Sequence, residues 1–280
     1  FVVNMTDWEV QYWMQDKEVQ DVPYSDYWTN EEYEKQKAFY VLDANFFKAE
    51  KYLKETGLPR DLEKCLKILK KNFGRNLEGV GMDLAAGSLW AAPLILSSGN
   101  IDKLYCLDYS RHRLLKIGPK FLEHYDVSGD KIILVLGSFY DLKLPDHSMD
   151  FLILIQAFHH SHQPERLLAE MKRVLKPNGI IFIIGEHAIY LWKGYLKHAL
   201  KYLACKIFSR KLQRWLFSEI YDIENMIPQR DKIYQPDPIL GDHYYTLKEY
   251  RSLFSKFNFE ILHFKKLGSP FRSFILKGRD

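Results

Sequence analysis

The sequence predicts an α/β fold, a doubly wound, mainly parallel sheet covered by helices on both faces. Three observations predict it. Short, continuous apolar runs at 131–136, 151–155 and 180–184 have the pattern of strands buried on both faces. Helical stretches at 91–97, 111–125 and 164–175 lie between the strands. The connections between them are short, as in repeated βαβ units.

The composition fits that class. The chain has 280 residues, of which 47% are hydrophobic and 27% charged. That excludes an intrinsically disordered, collagen-like or polytopic membrane protein. The three cysteines, Cys65, Cys106 and Cys205, form no CxxC pair, so neither a zinc knuckle nor a disulfide framework is expected, and a reducing compartment is. Residues 1–30 carry many acids and no continuous apolar run, so no signal peptide is expected there. The net charge of +4 is unevenly placed. Residues 1–60 hold 7 basic and 12 acidic side chains, residues 61–186 hold 16 and 15, and residues 187–280 hold 17 and 9. These breaks give four expected regions: an acidic arm (1–60), a core (61–186), a basic insertion (187–243) and a C-terminal completion of the core (244–280).

In the arm, Thr29 and Glu32 have capping-box spacing, which predicts a helix from about 31 to 53. Pro59 and its neighbours break it. A second helix follows over 61–73, with Leu62, Cys65, Leu66 and Leu69 on one face. Before Thr29 the chain is aromatic, with Trp8, Tyr12, Trp13, Tyr24, Tyr27 and Trp28. Packing of the arm onto the core is the expected use of these rings; roofing an active site is the alternative.

In the core, weaker strands at 79–84 and 103–108 precede the three strong ones. Ligands of such sheets sit at the carboxyl ends of the strands. The first strand ends in Met82-Asp83-Leu84-Ala85-Ala86-Gly87-Ser88-Leu89, whose small residues allow a cofactor close to the backbone. The second ends in Asp108-Tyr109, where a carboxylate can accept hydrogen bonds from ribose hydroxyls. The third leads into Gly137-Ser138-Phe139, the fourth into Gln156-Ala157-Phe158-His159-His160, and the fifth into Glu186-His187. Before the fifth strand comes Arg173-Val174-Leu175-Lys176-Pro177-Asn178-Gly179, where Asn178 suits a turn residue with positive φ.

On these motifs the chain resembles the class I S-adenosylmethionine-dependent methyltransferases, of the type 11 kind, over about 60–186 and again over 243–277. The 173–179 turn is the most specific element, being similar to the family's RVLKPGG. The resemblance implies a Rossmann-like, seven-stranded sheet with an antiparallel last strand, an N-terminal helical arm and a helical lid insertion. It implies S-adenosylmethionine as cofactor and S-adenosylhomocysteine as product. It also implies cofactor contacts from Asp83, Ala85, Ala86, Gly87, Asp108, Tyr109, Ser138, Phe139 and Gln156. Against the family's DxGxGxG, Ala85 and Leu89 replace two glycines, and Leu89 is expected to crowd the methionine end of the cofactor. Ser138 stands where an acid often binds the adenine amino group. Absence of GxGxxG argues against a nicotinamide cofactor. Absence of [DNS]-P-P-[FYW] after the fourth strand argues against methylation of nucleic-acid bases.

Catalytic candidates are His159 and His160, with Glu186 and His187 as a second pair; Asp242-His243 is a third, with a structural role expected. Thr246 is expected to cap the helix over 247–257. No metal site is expected, because His159, His187 and His243 lack ligand spacing. In the insertion no acid occurs from His187 to Ser218, and Lys193, Lys197 and Lys201 alternate with aromatic and aliphatic residues. A packed lid is expected there, with a peripheral membrane or lipid contact through 190–217 as the sharper reading. The expected function is methyl transfer in the cytoplasm to a small, anionic or lipid-like molecule, not nucleic acid, with the acceptor atom (O, N or C) open. The alternative is a degenerate cofactor-binding domain that docks a partner or membrane through the insertion.

Overall fold

The computed structural model describes residues 8–15, 17–18, 25–32, 46–189, 241–265, 267 and 271–279, with Leu196, Ala199, Leu200 and Leu203. The strands are β1 (Glu9–Tyr12), β2 (Glu78–Leu84), β3 (Asn100–Asp108), β4 (Ile132–Leu136), β5 (Met149–Ile155), β6 (Leu175–Glu186), β7 (Ala188–Ile189), β8 (Tyr245–Thr246), β9 (Phe259–Lys265) and β10 (Arg272–Gly278). The helices are α1 (Ser25–Thr29), α2 (Phe46–Thr56), α3 (Leu58–Phe73), α4 (Ala92–Leu96), α5 (Gly118–His124), α6 (Pro164–Val174) and α7 (Leu247–Lys256).

Eight strands form one sheet in the order β1-β4-β3-β2-β5-β6-β10-β9, and only β10 runs antiparallel to its neighbours. Seven of them match the expected count. The eighth, β1, comes from the arm and pairs with β4 in parallel, Val10 opposite Leu134. Four residues with a single Val among polar neighbours carry no strand signal; the open edge of β4 supplies the pairing.

The apolar strands serve two cores at once. In β4, Ile132, Leu134 and Leu136 join one buried cluster, while Ile133 and Val135 join the other. The first cluster takes Leu58, Leu62, Cys65 and Leu69 from α3. The second takes Leu167, Leu168 and Met171 from α6 and Tyr250 and Phe254 from α7. Period-two alternation with both faces covered explains why no polar residue interrupts these strands.

Helix boundaries follow local chemistry. Gly57 (φ 77°) ends α2, and Gly74 (φ 63°) closes α3, its N–H donating to the Lys70 carbonyl and that of Arg75 to the Leu69 carbonyl. The helix expected over 111–125 is in two pieces, a π turn at Arg113–Ile117 and then α5, whose first turn holds Pro119. Proline has no N–H and cannot continue the preceding ladder. Thr246 caps α7 in a full capping box with Glu249. Glu31 and Glu32 are helical, where the expected helix begins, but Thr29 is the last residue of α1, and its hydroxyl donates to the Ser25 carbonyl at 2.9 Å. Residues 33–45 of the helix expected there, and nearly all of the 190–217 segment, lie outside the described residues. Among the described residues no helix is long and apolar enough to cross a membrane.

The 173–179 motif acts as a clamp. The Arg173 guanidinium donates to the Leu142 and Leu144 carbonyls (2.8 and 2.7 Å), to Asp146 (2.8 Å) and to both oxygens of Glu170 (2.7 and 2.9 Å). Lys176 donates to both oxygens of Asp150, which accepts the Val80 N–H at 2.9 Å. Asn178 has φ 63°, as its turn requires. The motif thereby ties β6 to β5 and β2, and sets the strands whose far ends build the site.

Candidate active site

Strands β2, β3 and β4 step one way across the sheet, and β5 and β6 step the other. The switch lies between β2 and β5, and there the carboxyl ends of the strands open a crevice.

After β2 the chain passes through three left-handed residues, Ala85 (φ 61°), Gly87 (φ 54°) and Leu89 (φ 62°). These positions are where the resembled pattern has glycine. The Ala86 N–H donates to the Leu107 carbonyl (2.9 Å), folding the loop over β3. The Leu89 side chain turns inward against α5. It is fully buried, and its δ-carbon lies so close over Gly118 that a β-carbon there would meet it at 2.5 Å. The apolar burial offsets the backbone strain. Ala85 has less such compensation. Ala85→Gly removes a penalty of about 1–2 kcal/mol for a β-carbon in this region and loses about 0.4–1 kcal/mol to the freer unfolded chain. A gain of up to about 1 kcal/mol is expected, read as a melting temperature higher by roughly 2–4 °C.

Asp108, at the end of β3, accepts the Gly87 N–H and the Ser110 N–H, each at 2.7 Å. Burial raises its carboxyl, and those two N–H groups and Arg113 work against the rise. Each oxygen keeps a second lone pair for a ligand hydroxyl. Asp83 is pushed up to about 8, first by burial and then by the charge of Asp108. The folded protein thus binds a proton on Asp83 that the unfolded chain has lost above about pH 4. Stability from this group therefore falls as pH rises between about 4 and 8, then levels. Asp83→Asn is expected to gain on the wild type by about 1.4 kcal/mol per pH unit across that window. Urea melts of both proteins at pH 5, 6.5 and 8 check this; a constant difference rules it out.

The next loops complete this half of the crevice. Burial raises the Tyr109 hydroxyl. Ser138, expected at the adenine, accepts the Tyr140 N–H at 3.2 Å, and the Phe139 and Tyr140 rings meet edge to face at 4.7 Å. Gln156 is also left-handed (φ 51°), and its N–H donates to the Ile184 carbonyl at 2.7 Å. It bends there against Gly185 (φ 85°), where a β-carbon would stand 2.6 Å from its Cγ.

The other half is a cluster of histidines and carboxylates. His159 and His160 lie in the one-turn helix Phe158–His160 after β5. Glu186, the last residue of β6, is fully buried. Its oxygens accept the Phe158 N–H (3.2 Å), the His159 N–H (3.1 Å) and the Tyr250 hydroxyl (3.2 Å), and His159 Nδ1 stands 2.9 Å away. Burial alone would hold Glu186 up and His159 down. Their mutual charge and hydrogen bond outweigh it, so Glu186 is lowered and His159 raised. Asp242, which precedes β8, stands with Oδ1 3.0 Å from His160 Nδ1 and 3.9 Å from His159 Nε2. Burial lowers His160, with the neighbouring His159 charge adding to it. The His243 N–H donates to the His159 carbonyl at 2.7 Å. His187 packs edge-on to His159 at 5.0 Å, and burial lowers it. One ligand atom from each of His159, His160 and Asp242 lies within 4.8 Å of the others, in place of the His159, His187 and His243 set weighed from sequence.

All four catalytic candidates therefore meet, and Asp242-His243 joins them. Arg113 and Tyr250 carried no sequence signal for this site, and Trp28 only the general one of the aromatic arm. The Trp28 ring meets the His160 ring at 5.1 Å, and the Arg113 guanidinium lies 4.8 Å over Trp28. Trp13 packs instead near Tyr105, at 6.2 Å. The aromatic arm thus does both things weighed for it, by different residues.

Residues 82–183, which hold the loops after β2, β3, β4 and β5, match the family model for a methyltransferase domain, over well under half of the chain. The chain is 26% identical over 154 residues to a demethylmenaquinone methyltransferase of Lysinibacillus sphaericus, covering 52% of this chain and 63% of that one. It is 27% identical over 143 residues to a sterol 24-C-methyltransferase of Gibberella zeae, covering 50% of this chain and 29% of that one. The chain thus spans less than two thirds of the length of either relative. Its fold is that of the Burkholderia thailandensis 1,6-didemethyltoxoflavin-N1-methyltransferase, solved with 1,6-didemethyltoxoflavin and S-adenosylhomocysteine. The TM-score is 0.54 at 13% identity, with 85% of each chain covered.

Proposed function

We propose that this chain transfers the methyl group of S-adenosylmethionine to a small molecule held over the histidine cluster. One observation carries the reading: the Asp83–Gly87–Asp108 loops and the His159–Glu186 pair stand at the carboxyl ends of neighbouring strands of one sheet. Methyl transfer from a sulfonium is an in-line displacement, so holding donor and acceptor aligned supplies much of the rate. Ala85, Ala86 and Gly87 cradle the methionine end. Asp108 takes the ribose hydroxyls. Tyr109, Ser138, Phe139 and Gln156 enclose the rest of the cofactor, and Asp83 supports the loop from below. His159, His160 and His187 face the acceptor, with Glu186 fixing the ring of His159. The four regions at 1–60, 61–186, 187–243 and 244–280 act as arm, cofactor core, acceptor lid and completion of the core.

The acceptor is lipid-like and reached from a membrane surface. The relatives named above act on demethylmenaquinone and a sterol, both largely apolar. Leu196, Leu200 and Leu203 are each at least half exposed at i, i+4 and i+7, on one side of a helical repeat whose sequence neighbours are Lys193, Lys197 and Lys201. A cationic, leucine-bearing face binds anionic interfaces. Flotation with anionic vesicles tests this contact, and indifference to lipid charge and salt removes it.

Formation of S-adenosylhomocysteine from S-adenosylmethionine, measured across a panel of quinols, sterols and carboxylated small molecules, tests the reaction. Cofactor binding without turnover of any acceptor favours the non-catalytic docking domain. A folded protein that binds neither S-adenosylmethionine nor S-adenosylhomocysteine overturns both readings.

A further inference from the structure

We infer that His159, His160 and Asp242 form a binding site for a divalent transition-metal ion of the zinc class. Three features of the cluster point there. The first is spacing. Nitrogen and oxygen ligands about 2.0–2.2 Å from a tetrahedral ion stand roughly 3.3–3.6 Å apart. Asp242 Oδ1 is 3.0 Å from His160 Nδ1 and 3.9 Å from His159 Nε2, and the three donors lie within 4.8 Å of one another. The separations lie between 3.0 and 4.8 Å, so shifts of about 1 Å bring them onto one ion.

The second is the support behind His159. Metal-bound histidines commonly donate their other ring N–H to a carboxylate, which fixes the tautomer and the ring plane. Glu186 stands 2.9 Å from His159 Nδ1, is fully buried, and is itself held by the Phe158 and His159 N–H groups and the Tyr250 hydroxyl. This leaves the Nε2 lone pair of His159 facing Asp242.

The third is Asp242. Its Oδ1 is buried, with His160 Nδ1 at 3.0 Å and His159 Nε2 at 3.9 Å as its neighbours. A buried carboxylate needs a positive partner, which protonated imidazoles or one cation bound among all three donors can supply. The ligands are also preorganised. The one-turn helix is closed by the His160 N–H on the Ala157 carbonyl (3.1 Å), and the His243 N–H on the His159 carbonyl joins the Asp242 segment to it.

Two imidazoles and one carboxylate select zinc, iron(II) or cobalt(II) over magnesium and calcium, which take oxygen ligands. Three protein ligands leave a position open. An acceptor hydroxyl bound there loses its proton to solvent more readily, because the cation stabilises the oxyanion. That last use rests on the methyl-transfer reading. Metal binding itself does not, and is measured without turnover.

The test uses the whole chain, stripped with a chelator and then titrated with zinc by calorimetry. Zinc content after gel filtration and the visible spectrum of the cobalt(II) form are read alongside. One equivalent per chain and a tetrahedral cobalt spectrum are expected. Asp242→Asn and His160→Ala each weaken zinc by at least about 10–100-fold, the range that even an outer partner costs. Two substitutions guard against one misfolding, and circular dichroism identifies it. His124→Ala, on the exposed surface, retains the wild-type affinity. No stoichiometric zinc in the wild type, or equal affinity in Asp242→Asn and His160→Ala, overturns the site and leaves a charge cluster only. Either failure leaves the methyl-transfer reading intact.

Discussion

Asp108→Ala is expected to weaken binding of S-adenosylhomocysteine by at least about tenfold. A hydrogen bond to a charged acceptor contributes about 1.5–3 kcal/mol, and each factor of ten is about 1.4 kcal/mol. The carboxylate has a second task that raises the loss. It holds the Gly87 N–H, and through it the three left-handed residues of the cofactor loop. Without that anchor the loop keeps only its backbone bonds, and the cofactor must order it on binding. Asp108→Asn changes both, since it keeps one oxygen for a backbone N–H but turns an N–H₂ towards the other while removing the charge, so a loss smaller than that of Asp108→Ala is expected. Calorimetric titration of wild type and both variants reads the loss directly. Unchanged affinity in Asp108→Ala means that Asp108 is not the ribose ligand.

The strands and their loops were legible because burial on both faces leaves little room for other residues. The seven core strands and the Asn178 turn follow from runs and spacings that are local in sequence. The loop after β2 was legible in its outline. The partner of its leucine was not, since only the folded chain shows that Gly118 makes room for the Leu89 side chain. Strand β1 was illegible because the edge of β4, and not its own four residues, makes it a strand. The histidine cluster was half legible. His159, His160, Glu186 and His187 stand at strand ends, where chemistry is expected in this fold. Asp242 lies more than fifty residues from Glu186 in sequence, so only the folded chain shows that they meet around His159. Trp28 is further still, and one aromatic among six in the arm carries no mark of its place. Function at this site is assembled from long-range contacts, and sequence spacing reports those least.

The same network predicts that Glu186 matters more to the fold than any single group around it. Its buried carboxylate is the shared acceptor of two backbone N–H groups, the His159 ring and the Tyr250 hydroxyl. Glu186→Ala strands those donors in the interior, and removing one partner of a buried ion pair costs about 3–5 kcal/mol. Against a total stability of about 5–15 kcal/mol that is a large fraction. The melting temperature is expected to fall by roughly 10 °C. Tyr250→Phe removes one hydroxyl proton, shared between Glu186 and the His187 carbonyl, and keeps the ring in its aromatic cluster with Phe254 and Phe274, so it should cost only about 1 kcal/mol. Glu186→Gln falls between, because its amide can satisfy some of these donors but turns an N–H₂ against the rest. Urea denaturation of chelator-treated protein keeps any bound metal out of the comparison. The decisive feature is the order of the three variants: a Glu186→Ala loss no larger than that of Tyr250→Phe would show that the carboxylate is not the hub that these distances describe.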